Sequence, residues 1–139
     1  MTDFCSRGNS KINFQITSLL KNGSVKSKIW TLDEARKLLP EIIEITSSAY
    51  KETQRIIEDL ESKIHPENIQ ELKESELQAV ISEWALGIAK MHADVKGLWL
   101  VDFDNGRGYY CWKLGESDIL YEHTYEAGYA GRKPIKEEI

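Results

Sequence analysis

Long apolar runs are missing from this chain, and no stretch approaches the roughly 18 residues needed to cross a bilayer. The apolar cluster around Phe14 to Leu20 is broken by Gln15, Thr17 and Ser18, so neither a membrane span nor a secretory signal is expected. Cysteine is almost as scarce. Cys5 and Cys111 form no CxxC pair or other framework spacing, which argues against a disulfide scaffold and for a reducing, cytoplasmic setting. A basic excess is absent too. The net charge of -5 is the wrong sign for general nucleic-acid binding by the folded region. Internal repeats and low-complexity segments are also lacking.

What the 139 residues do contain is enough apolar content for one core. Residues 1–28 mix Ser, Asn, Gly and Lys and carry Arg7, Lys11, Lys21, Lys26 and Lys28 against only Asp3. They read as a flexible basic N-terminal extension, and residues 29–139 as a single α+β domain. Thr31 followed by Glu34 matches a capping box, so a helix is predicted to start there. Pro40 removes a backbone donor and disfavours helical geometry at Leu39. A short helix ending there and a longer one beginning at Pro40 are expected. From Ile42 the positions Ile45, Ala49, Thr53, Ile56, Leu60 and Ile64 recur at helical spacing, as far as His65 and Pro66. A second stripe runs from Ile69 through Leu77, Ile81, Trp84 and Ile88 to Val95, with Gly97 as its stop. The two make a long antiparallel helical hairpin.

The texture then changes to strand composition at 98–103, 109–114 and 119–123, separated by glycine-bearing turns. The predicted fold is therefore α+β, with the hairpin packed on a small three-stranded antiparallel meander.

Chemistry-bearing residues gather in that last third. Cys111 and His123 can form a nucleophile and base, or two ligands of a metal ion. Their relation depends on hairpin register. A four-residue loop at 115–118 puts Tyr110 opposite His123 and separates Cys111 from it by the sheet, whereas a five-residue loop or a bulge puts Cys111 opposite His123. Asp102 and Asp104 alternate about Phe103 and share a face, as hard-cation ligands or acid/base carboxylates require. Turn chemistry at Asp104 and pairing of Asp102 with Arg107 or Lys113 explain them more simply. Glu122 and Glu126 are further carboxylates. His65 and His92 read as structural, one at a helix end and one along the second stripe. Gly128, Gly131 and Arg132 make a small-residue loop leading to a guanidinium that suits an anion, or a close crossing over the sheet with Arg132 in an ion pair. Trp112 belongs to an aromatic crowd with Trp99, Tyr109, Tyr110, Tyr121, Tyr125 and Tyr129, too large for one face of so small a sheet.

Thr31-Leu32, Ala35 and Leu38-Leu39-Pro40, then Val95-Lys96-Gly97, Val101-Asp102-Phe103, Tyr110-Cys111-Trp112 and Gly128-Tyr129-Ala130-Gly131-Arg132-Lys133-Pro134, together resemble the bacterial domain-of-unknown-function 2203 family over about residues 29 to 135. The resemblance implies helices followed by a Cys-Trp-bearing sheet and brings no activity with it. Two functions are weighed on the residues. The first is a non-enzymatic interaction module, a homodimer or a protein partner, suggested by wide helical stripes and surplus aromatics. The second is a small-ligand or metal site near Cys111, His123, Asp102 and Arg132, with hydrolytic or redox chemistry open to it. No cofactor follows from the residues beyond that possible metal ion.

Overall fold

A computed structural model of the protein describes residues 28–136. The expected extension, apart from Lys28, lies outside the described residues. Helix α1 spans Leu32–Ser62 and opens on the capping box: Glu34 N–H donates to Thr31 Oγ1 at 3.1 Å, and Thr31 N–H donates to the Glu34 carboxylate at 2.9 Å. It does not break at Pro40, which corrects the expectation of two helices. An internal proline costs about 3 kcal/mol. Here the ring faces solvent, while Ala35, Leu39, Ile42 and Thr46 form a buried stripe that runs through it and holds both halves against the core.

Helix α2, Glu67–Lys90, folds back along α1 and buries Leu77, Ile81, Trp84, Ala85 and Ile88. Trp84 Nε1 donates to Thr46 Oγ1 at 2.8 Å, which satisfies two polar groups inside the hairpin. The helix ends before Gly97, where the sequence placed its stop. His92 takes φ of +67°, and the N–H groups of Met91 and His92 close on Ile88 and Ala89 carbonyls. The carbonyl of His92 then accepts from Trp30 Nε1 at 3.1 Å. No helix among the described residues is long and apolar enough to cross a membrane.

Release of the chain at His92 frees a strand that helical periodicity had concealed. Five antiparallel strands follow in chain order, β1 Asp94–Gly97, β2 Leu100–Asp104, β3 Gly108–Lys113, β4 Tyr121–Thr124 and β5 Lys133–Pro134, where three were expected. Leu98 and Trp99, read as strand, are the turn between β1 and β2. Trp99 sits there at φ of +64°, a conformation costing a non-glycine residue roughly 1–2 kcal/mol. Its ring is buried against Trp84 at 4.9 Å and Tyr50 at 5.9 Å, which offsets that strain. Alternation sends Val101, Phe103, Tyr110 and Trp112 into the core with the helices. It sends Asp102, Asp104, Tyr109, Cys111, Tyr121 and His123 to the opposite face.

Candidate metal centre

The register of β3 against β4 matches neither loop considered from the sequence. Tyr109 stands opposite His123 and Cys111 opposite Tyr121, with Leu114 to Leu120 as the connection. Cys111 and His123 are therefore diagonal neighbours on one face, so the parity that favours a shared site holds without direct pairing. Across the other ladder Cys111 stands directly opposite Asp102. Gly108 lets β4 come this close, because a Cβ there would run into the His123 carbonyl.

Three ligand-type side chains from three adjacent strands thus meet. Asp102, Cys111 and His123 are 1%, 0% and 7% exposed. Their donor atoms lie within 4.8 Å of one another, the one such buried group among the described residues. His123 reaches past β3 to place Nε2 at 2.8 Å from Asp102 Oδ2. Its other nitrogen, Nδ1, lies 2.7 Å from the Thr124 carbonyl. A carbonyl only accepts, so Nδ1 carries a proton. The Nε2 to Oδ2 contact then holds a single proton, either as imidazolium and carboxylate or as imidazole and carboxylic acid. Asp102 Oδ1 has no hydrogen-bond partner.

Burial dominates the electrostatics. Desolvation raises the Asp102 carboxyl above its ordinary range, and the adjacent Cys111 and His123 pull it only part of the way back. Desolvation and then the Asp102 charge push the Cys111 thiol far up. A thiol so placed is a poor nucleophile. The order along the cluster is also wrong for a nucleophile and base pair, since Asp102 rather than His123 is the group whose charge acts on the thiol.

Other residues singled out from the sequence fall around or away from this cluster. Asp104 accepts from Gly106 N–H at 2.9 Å and from Tyr125 OH at 2.7 Å, so it is a turn and anchoring group. Asp102 pairs with neither Arg107 nor Lys113. Arg107 lies 3.6 Å from Glu122, and Lys113 Nζ is bonded to Tyr129 OH. Glu126 is exposed. Trp112 is fully buried on the helix side and donates to the Glu116 carbonyl. Arg132 borders the cluster, bonded to both Glu116 carboxylate oxygens at 2.6 Å and lying 3.4 Å from the Cys111 carbonyl. Its guanidinium lies 4.1 Å from the Tyr121 ring centroid and 4.9 Å from that of Tyr129. Glu116 was missed in the sequence, although a semi-buried arginine demands a carboxylate and the turn at 115–118 offered one.

No curated protein and no solved structure matches the chain. One family model matches residues 28–135, which takes in both helices and the whole sheet. The chain belongs to the family described as uncharacterized conserved protein, DUF2203.

Proposed function

We propose that this protein binds a divalent transition-metal ion through Asp102 Oδ, Cys111 Sγ and His123 Nε2. The observation that carries the reading is the bond from His123 Nδ1–H to the Thr124 carbonyl, since it puts the ring proton on Nδ1 and leaves Nε2, 2.8 Å from Asp102 Oδ2, as the nitrogen free to ligate once the shared proton is displaced. A ligating histidine is characteristically oriented in this way by a carbonyl on its remote nitrogen. A metal ion would replace the single proton between Nε2 and Asp102, deprotonate Cys111 and engage Oδ1, which has no partner. Two anionic ligands and one neutral ligand balance a double positive charge, as a dry site requires. The mixed sulfur, nitrogen and oxygen set suits zinc, and three protein donors leave one position of a tetrahedron for water or a ligand. A reducing, cytoplasmic compartment keeps the thiol available for this role.

The test is native mass spectrometry and elemental analysis of protein purified without chelators, followed by titration of the stripped protein with zinc and cobalt. One ion per chain is expected, with a thiolate-to-cobalt absorption band that disappears in Cys111→Ser. Stripped protein that takes up neither ion at micromolar concentration would refute the reading.

A second reading is favoured by the cleft of about 580 Å³ between α1 and α2, bordered by Ile45, Ala49, Val80, Trp84 and Met91. With the exposed Leu72 and Leu86, it leaves apolar helix surface to an interaction or dimerisation role. The same spectrum reads subunit number. A dimer whose population is the same with and without metal supports this role as separate from the metal site.

A further inference from the structure

Asp102, Cys111 and His123 are almost wholly buried, yet they lie on the face of the sheet turned away from both helices. Their cover comes from the chain beyond β4. Tyr125 OH donates to Asp104, Lys113 Nζ donates to Tyr129 OH at 3.2 Å, and Arg132 stacks on Tyr121. Positions 104, 113 and 121 all alternate onto the site face, so Tyr125 to Ile135 lies across it. At its far end Ile135 N–H donates to the Leu120 carbonyl, and β5 adds two residues of pairing.

This cover is held differently from the rest of the molecule. None of its residues is buried, and Tyr125 and Tyr129 are each 45% exposed. A cavity of about 660 Å³ lies along the edge where β3 and β4 meet this segment, lined by Gly108, Glu122 and Thr124 of the strands and by Ala127, Gly131 and Pro134. Gly128 takes φ of +62° and ψ of -165°, a region open essentially to glycine alone. Between Tyr125 and β5 the strongest fastening is Arg132, whose side chain is 11% exposed and bonded to both carboxylate oxygens of Glu116. Apart from Ile135, which packs against the hydrophobic core at its far end, the segment is held by polar pins, and few apolar contacts characterise a stretch that opens locally while the core stays folded.

We propose that Tyr125 to Ile135 is a clasp over the metal site, fastened by the Arg132 and Glu116 pair, and that its opening sets the rate at which the ion enters and leaves. This rests on the metal-binding reading above, because a buried site needs an entry path. Arg132 and Glu116 act as positioning residues.

The test uses the full chain with Cys5→Ser, so that Cys111 is its one thiol. An aromatic disulfide reagent labels the stripped protein, and a chelator competes for zinc from the loaded protein. Glu116→Gln is expected to speed both labelling and zinc release by roughly tenfold or more through loss of the charge-assisted pair. Tyr125→Phe, which removes a single hydrogen bond, is expected to speed them about threefold. Low urea should leave the wild-type labelling rate nearly flat, because local opening exposes little surface. Unchanged rates in variants whose circular dichroism matches wild type would overturn the clasp. So would wild-type labelling with the full urea dependence of global unfolding. If Glu116→Gln fails to fold, Tyr125→Phe decides alone. If the protein takes up no zinc but both variants label faster, the metal reading falls and the clasp stands as a cover of the cluster.

Discussion

The two faces of the sheet are built from alternate residues of the same strands and are stabilised by opposite means. On the helix side Val101, Phe103, Tyr110 and Trp112 are buried by apolar contact with α1 and α2. On the other side Asp102, Cys111 and His123 are buried just as completely, under a strip of backbone, tyrosine rings and one ion pair. Apolar burial is favourable in itself, whereas burial of a carboxylate and an imidazole costs free energy unless something compensates it. The second face therefore reads as a site and the first as a core. The difference can be broken by substitution on one face at a time.

The largest effect is expected on the helix side. Trp112→Ala removes a fully buried indole and should destabilise the fold by about 3–5 kcal/mol. Urea unfolding should show this loss equally with and without metal, because Trp112 lies on the far side of the sheet from the ligands. On the site face His123→Ala strands Asp102 in a buried position, with a cost of roughly 3 kcal/mol and loss of zinc uptake. Replacing both as Asp102→Leu with His123→Leu removes the uncompensated polar groups. That variant should recover most of the stability and none of the metal binding. A double variant as unstable as the single one would mean that this face is not under the electrostatic strain inferred here.

The proposed metal binding sharpens the same contrast. At zinc hundredfold above its Kd, the loaded protein should gain about 2.7 kcal/mol over the stripped one. Calorimetry with and without chelator reads the gain as a shift in Tm, and Cys111→Ser should abolish it while leaving the stripped protein folded. An identical Tm with and without zinc in the wild type would sink the prediction.

The helix-side architecture was largely legible in the sequence, and the site was legible in its members but not in its geometry. The capping box, the hairpin and the stripes through Ile42, Ile56, Ile81 and Ile88 follow from local spacing alone. Two local signals misled. Pro40 signals a break, yet tertiary packing carries the helix through it. Val95 continues the α2 stripe in sequence, yet His92 has already ended the helix in a left-handed conformation that no glycine announces. Asp102, Cys111 and His123 were all named as candidates, but their meeting depends on the parity of strand register. One residue more or less in the 114–120 connection reverses it, and no local rule counts that loop. The crossing of Gly128 to Arg132 over the sheet, with Arg132 in an ion pair, is one of the two readings of that loop, but strand β5 escapes because it is two residues long and contains a proline.

The smallest effect lies in the first turn of α1, where a solvent-exposed carboxylate offers a contrast with buried Asp102. Burial raises the Asp102 carboxyl, whereas the backbone N–H of Thr31, and then Lys28, hold Glu34 below its ordinary value. A carboxyl held low in the folded state adds stability above its unfolded pKa and loses it as pH falls through the folded value. Glu34→Gln should therefore lower the urea midpoint slightly at neutral pH, and the difference should vanish in acid, where both side chains are neutral. Added salt should shrink it too, because Lys28 and Glu34 meet at the surface at 3.2 Å. A midpoint difference that persisted at acid pH would assign the effect to the shape of the glutamine rather than to the charge of the capping box.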